Sequence, residues 1–525
     1  MYADISLNKI MQILSLTIIL SLSVILTLNL EIGYVSNANL FSSLIKNNYE
    51  YLKYKSDISN GGNAFLVTGL FSIFKNDVGE DSSTETANLV PVLLYHGILD
   101  KSDGENVLLK DFKEQMFALK RNGWNTITLE ELHGFINEGK KLPDKSFLLT
   151  FDDGRKDSYY PVDPILKALD YNAVIFVITK YSLTQSSKYY LDKNELKEML
   201  KSGRWEIQSH TKEGHTFYVI DQTGTKGHFY SDRLWLSDRN RLETEEEFTS
   251  RITKDFQESK SELEKYLDTK VISFAYPFGD YGQNSVNYSN ATKVVLKTIA
   301  PIYQMTFYQA WGEYSQNSPN NKILVKRIEV DKDWNAQKLL EVINSGREKD
   351  ITYTDNFEQD SGWVTRWGET LIDNNKLQIK STEFSSGALV FLDGTQHWTN
   401  YQFNAEVHAI KGESITLVAN YKDELNYDSC VFSTKYVKIE QIINGTKKIL
   451  VLRKGASTFI GATRELGIST NNNQLSCSIG NTIIVKSKPP YTVKSSGGIG
   501  FKIWDPILNN SEIEIKNISV EPITL

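Results

Sequence analysis

The chain has 525 residues, of which 40% are hydrophobic and 23% charged, with a net charge of −7 and a sequence pI of about 5.7. That length exceeds one ordinary core, so two or three domains are expected, and the composition excludes a mostly disordered chain. The acidic balance argues against bulk electrostatic binding to nucleic acid.

From Ile10 to Leu30 no residue is charged, and Lys9 precedes the run. Such a stretch is long enough to span a bilayer. It reads as a membrane anchor or, because Ser36-Asn37-Ala38 offers small residues for cleavage, as a signal peptide. On either reading, residues 1–38 send the remainder out of the cytosol, tethered to the cell membrane or secreted. Residues 39–88 read as a linker ending in the polar stretch Asp77 to Thr86.

Residues 89–348 alternate strand and helix patterns. Val90 to His96 is a buried-strand run, and Asp111 to Asn122 is a helix with Phe112, Met116 and Leu119 at helical spacing. Ser146 to Thr150, Ala173 to Ile178, Trp205 to Ser209, Val271 to Tyr276, Tyr303 to Tyr308 and Ile323 to Val330 are strands. Pro161 to Leu169 is helical. Glu245 to Leu267 carries Phe248, Ile252, Phe256, Leu263 and Leu267 on one face, with a capping box at Thr244 and Glu247. The alternation predicts an α/β parallel sheet or barrel with its chemistry at the C-terminal strand ends.

Residues 349–525 read as an all-β sandwich. Tyr401, Phe403, Ala405 and Val407 alternate with polar neighbours, and Asn444-Gly445 separates two strand runs as in a hairpin. The two cysteines, Cys430 and Cys477, either pair or remain buried thiols. Trp363, Trp367, Trp398 and Trp504 are core residues, or one or two of them form a sugar-stacking platform.

Two elements carry the chemistry. Thr150-Phe151-Asp152-Asp153-Gly154 ends a strand, and His210-Thr211-Lys212-Glu213-Gly214-His215 follows another. One aspartate and two histidines can hold a divalent metal with positions left open for water, while the second aspartate serves as a base. Histidines five residues apart lie about 140° apart on an ideal helix. A loop must therefore bring them together.

These residues resemble the polysaccharide deacetylases of the NodB homology domain, carbohydrate esterase family 4, and most closely the exported branch acting on poly-N-acetylglucosamine. Besides the two elements above, Tyr276-Pro277-Phe278-Gly279, Asp331-Lys332-Asp333-Trp334, Leu94-Tyr95-His96-Gly97-Ile98 and Leu142-Pro143 carry the likeness. The resemblance implies a distorted (β/α)7 barrel and removal of N-acetyl groups from a polysaccharide containing N-acetylglucosamine. It implies a metal, most commonly zinc, on Asp153, His210 and His215, with Asp152 as general base. It also implies an oxyanion donor at the backbone N–H of Phe278, and a sugar groove between Phe278 and Trp334 that Tyr276 and Pro277 help to line.

The chain departs from that family twice. The arginine that usually orients the base is replaced by Ala275; Arg327, on the Ile323 to Val330 run, either substitutes for it or is an ordinary surface or core-edge arginine. No histidine lies between Trp334 and His397, so the usual proton donor to the leaving amine is missing. His96 is a candidate for it and for a substrate contact; its alternative is a structural histidine at the barrel mouth. The insertion Thr216 to Arg241, with Phe217, Tyr218, His228, Phe229, Tyr230 and Trp235, either covers the cleft or packs on itself. His133, His397 and His408 read as structural.

The stretch Gly497 to Trp504 gives the sandwich a weaker resemblance to concanavalin A-like jelly rolls, which implies a glycan-binding or spacer module. Two rival functions are a non-catalytic glycan-binding descendant of a deacetylase, and a glycoside hydrolase. The latter needs carboxylates flanking a glycosidic bond, whereas Asp152 and Asp153 are adjacent.

Overall fold

The computed structural model describes residues 49–54, 86–184, 187–309, 315–316, 324–443, 445–455, 460–471, 474–487 and 496–523. The expected export segment and most of the linker lie outside these residues. No helix among the described residues is long and apolar enough to cross a membrane.

Seven parallel strands close a barrel. They are β1 (Val92–Tyr95), β2 (Ser146–Phe151), β3 (Ala173–Val177), β4 (Trp205–Ser209), β5 (Ser273–Ala275), β6 (Met305–Gln309) and β7 (Leu324–Glu329). Each pairs with the next in chain order. β7 returns to β1, with Ile328 opposite Leu93. Parallel neighbours need crossover connections, and helices supply them. These are α1 (Leu109–Arg121), α2 (Asp163–Leu169), α3 (Lys193–Lys201), α4 (Glu245–Leu267) and α5 (Ala291–Ile299), with α6 (Ala336–Ser345) after β7.

Strand alternation divides the apolar side chains into two cores. Val92, Leu148, Val174, Phe176, Ala275, Met305, Phe307 and Val325 fill the barrel. Leu93, Leu149, Ile175, Ile207 and Phe274 face outward into the layer beneath the helices. The capping box of α4 forms as expected: Glu247 N donates to Thr244 Oγ1 (3.2 Å) and Thr244 N to Glu247 Oε2 (2.8 Å). β5 is shorter than its sequence suggests for a local reason. The backbone N–H groups of Ile272 and Ser273 donate to the Gln208 side chain (both 2.9 Å), and not to a neighbouring strand.

The insertion after β4 is built of small hairpins. Phe217–Val219 pairs with Lys226–His228, and Trp235–Leu236 with Arg241–Leu242. Asp232 ties the insertion to the loop after β5, accepting from His228 N (3.0 Å) and Val286 N (2.9 Å).

Beyond α6 lie two antiparallel sheets, of eight and seven strands, around a second core. In Tyr401–Lys411 the residues Tyr401, Phe403, Ala405 and Val407 turn inward, as their alternation required. The expected hairpin forms, with Ile443 opposite Thr446. Cys430 in the seven-stranded sheet is disulfide-bonded to Cys477 in the eight-stranded one. Trp363 and Trp398 are buried; Trp504 is exposed. The sandwich is tied to the end of α6, where Lys349 Nζ donates to Asp393 O (2.8 Å) and Trp398 Nε1 to Lys349 O (2.7 Å).

Candidate active site

The C-terminal ends of β1, β2, β4 and β7 deliver the polar groups. Past β2, Asp153 and Gly154 both adopt left-handed backbone (φ 71° and 74°). Successive strand residues point to opposite faces, and this turn sends the two adjacent carboxylates to separate partners within one mouth.

Asp152 meets Arg327. Both oxygens accept from the guanidinium, Oδ1 from Nη1 and Oδ2 from Nη2, each at 2.7 Å. Both side chains are buried. Burial alone pushes the Asp152 carboxyl up, but the charges of Arg327 and then His210 outweigh it and hold the group down to about 2. Asp152 is therefore a carboxylate in a fixed orientation.

Asp153 meets the histidines. Its Oδ1 lies 3.2 Å from His215 Nε2 and 3.6 Å from His210 Nε2. Ligand atoms of all three residues fall within 4.8 Å of one another. Asp153 Oδ1 is buried and has no hydrogen-bond partner among the described residues. A buried carboxylate oxygen facing two imidazole nitrogens without a donor fits a cation. His210 is prepared for that role. Its Nδ1 donates to Ala275 O at 2.9 Å, which leaves the Nε2 lone pair toward Asp153. Burial lowers the His210 pKa to about 4, so the ring is neutral.

The loop joining the histidines is held from below by a residue that the sequence reading missed. Thr211, a β-branched residue, sits at φ 81°, a conformation that persists only where surroundings impose it. Asp255 on α4 imposes it. Its Oδ1 accepts from Thr211 Oγ1 (2.6 Å), Lys212 N (3.2 Å) and Tyr230 OH, and its Oδ2 from Glu213 N (2.7 Å). Burial pushes the Asp255 carboxyl up, against the pull of these donors. The available signal was a charged residue on the apolar face of α4, beside Ile252 and Phe256.

The remaining expected site residues divide. His96 follows β1 at the mouth, with Nδ1 3.7 Å from Glu329 Oε1, and its charge acts on Asp152. Phe278 lies in the left-handed region (φ 59°), and its half-exposed ring is 4.7 Å from that of His215. Tyr276, Pro277 and Trp334 are buried. Tyr276 packs against Phe274 and Tyr281, and Trp334 sits in the core with its carbonyl accepting from Gln115 Nε2 (2.7 Å). Trp334, expected to line the groove opposite Phe278, is 6% exposed. His133 pairs with Glu138 (3.3 Å) and His408 with Thr463 (3.1 Å), while His397 is buried with its pKa lowered by burial; none joins the triad.

Residues 139–296, within the closed seven-stranded barrel that carries the Asp153-His210-His215 triad, match the sequence profile of the polysaccharide deacetylases. The poly-beta-1,6-N-acetyl-D-glucosamine N-deacetylase of Escherichia coli strain K12 is 23% identical over 290 residues, 50% of this chain and 41% of that protein. The protein of the same name from Staphylococcus aureus strain MRSA252 is 29% identical over 177 residues, 33% of this chain and 54% of its own length. The chain thus spans about half the length of these relatives. A solved de-N-acetylase from Aggregatibacter actinomycetemcomitans aligns with 48% of this chain and 99% of its own, at 20% identity and a TM-score of 0.41.

Proposed function

We propose that this chain is an exported, metal-dependent N-deacetylase of a polysaccharide containing N-acetylglucosamine, releasing acetate and leaving a free amine on the polymer. The observation that carries this reading is the pairing of a charged, arginine-clamped Asp152 with the donor-free Asp153 oxygen and its two imidazoles. Two of the relatives carry names that state this reaction on poly-β-1,6-N-acetylglucosamine.

Asp153, His210 and His215 would hold a divalent ion, zinc being the natural choice for one carboxylate and two imidazoles. Such an ion, when bound, polarises the amide carbonyl and lowers the pKa of water. Asp152 accepts the proton as water attacks the acetamide. Arg327 donates to both carboxylate oxygens, so it positions the base and keeps it ionised. The backbone N–H of Phe278 is the donor for the developing oxyanion. His96 supplies the proton to the departing amine. The polymer emerges with new positive charge, and the apolar N-terminal run holds the enzyme at the membrane.

The test is acetate release from a panel of N-acetylated glycans by the zinc-loaded protein. Asp152→Asn is expected to lower turnover by about 10²- to 10⁴-fold with the ion retained. Full activity in that variant, or shortening of the polymer in place of acetate release, would overturn the proposal.

A further inference from the structure

The insertion between β4 and α4 builds a surface that this reaction leaves unused. Its first hairpin sets Phe217 opposite His228. Both rings stack on Phe278, Phe217 at 5.1 Å and 24°, His228 at 4.9 Å and 19°. Phe278 in turn neighbours the ring of His215. A continuous run of rings leads from the triad outward, and Phe217 is 49% exposed at its far end.

His228 is the polar member of that run, and it is held in place. Its Nδ1 bonds the Oδ2 of Asp280, which is 1% exposed, and the other oxygen of Asp280 accepts from Gly282 N at 3.0 Å. The buried acid fixes the imidazole and turns Nε2 away from itself. Phe217 and Phe278 keep exposed ring surface beside one oriented polar atom, and a pyranose needs both: its C–H faces pack on aromatic surface, and its hydroxyls find a hydrogen-bond partner. At the Asp153 end, Tyr189 is also exposed, stacked under Arg155 at 4.7 Å. Leu191 N donates to Gly154 O (2.9 Å) and pins that segment against the turn after Asp153.

We propose that the Phe217–His228–Phe278 platform binds a sugar unit flanking the one that is deacetylated, with Tyr189 contacting the chain on the Asp153 side. The site then selects internal units of a polymer over a free sugar. This rests on the deacetylase reading, because the occupant of the platform is the substrate chain continuing out of the mouth.

The experiment compares zinc-loaded wild type with Phe217→Ala, on the dimer and the hexamer of N-acetylglucosamine. Both acetate release and calorimetric binding are read. Loss of one stacking ring should reduce the hexamer-to-dimer ratio of kcat/KM, and of affinity, by about five- to tenfold. Tyr189→Ala should lower the same ratio independently. Ratios equal to wild type in both variants overturn the proposal, even where acetate is released. A wild type that binds the hexamer through Phe217 but releases no acetate supports the platform and sinks the deacetylase reading instead.

Discussion

The barrel and the sandwich each bury an aspartate, and the two are treated in opposite ways. Asp152 in the barrel faces a guanidinium and is held at about 2. Asp428 in the sandwich faces two neutral amides, accepting from Asn420 Nδ2 (2.7 Å) and Gln441 Nε2 (2.8 Å), and burial pushes its carboxyl up. A buried arginine–carboxylate pair seldom stabilises a fold more than apolar residues of the same volume. The barrel accepts that pair at its mouth, where an oriented charge serves chemistry. The sandwich surrounds its acid with groups that tolerate a neutral form. Asp255 beneath the histidine loop is raised as Asp428 is, so the lowered carboxyl marks the one acid paired with an arginine and not the barrel as a whole.

The largest test of that contrast is Arg327→Ala. It leaves the Asp152 carboxylate buried without its partner, a loss of about 3–5 kcal/mol in unfolding free energy. Turnover should fall while zinc content is retained. Denaturant unfolding and metal analysis read the two effects; unchanged stability would mean that the pair contributes nothing to the fold. In wild type, the contribution of Asp152 is present above the ordinary carboxylate pKa of 3.8 and lost as pH falls toward about 2.

A smaller effect belongs to Asp255→Asn. Its four donors hold the loop between His210 and His215, the proposed metal ligands, and removal of such a support commonly costs about 10- to 100-fold in metal affinity. Chelator competition measures it. The smallest is Asp428→Asn, expected within about 1 kcal/mol of wild type at neutral pH. The oxygens Asn420 Oδ1 and Gln441 Oε1 have no hydrogen-bond partner among the described residues, so a flip of either amide can accept from the new side chain. The raised carboxyl favours folding below the ordinary carboxylate pKa, and that contribution is lost as pH rises through its shifted value. Asp428→Asn should therefore gain relative stability with rising pH. A variant that loses ground instead would place a needed negative charge in the sandwich.

Much of this was legible before any coordinates. The strands of the barrel announce themselves as apolar runs, and α4 by its stripe and capping box. The chain left Arg327 open between a substitute for the arginine missing at Ala275 and an ordinary arginine; closure of β7 beside β1, next to β2, is what brings it to Asp152. Other features needed three dimensions. The burial of Trp334, read from the chain as a groove residue, is one, since nothing local records how deeply a loop residue sits. Asp255 acts through a loop some forty residues earlier, and hairpin pairing inside the insertion depends on Asp232 reaching across to Val286.

The bridge from Cys430 to Cys477 closes 47 residues of chain between two sheets. Loop closure of that length contributes about 4 kcal/mol by restricting the unfolded sandwich. Such bonds persist where thiols are not kept reduced. The sandwich would therefore reach its full resistance to unfolding only under oxidising conditions, while the barrel, which holds no cysteine, folds without regard to them.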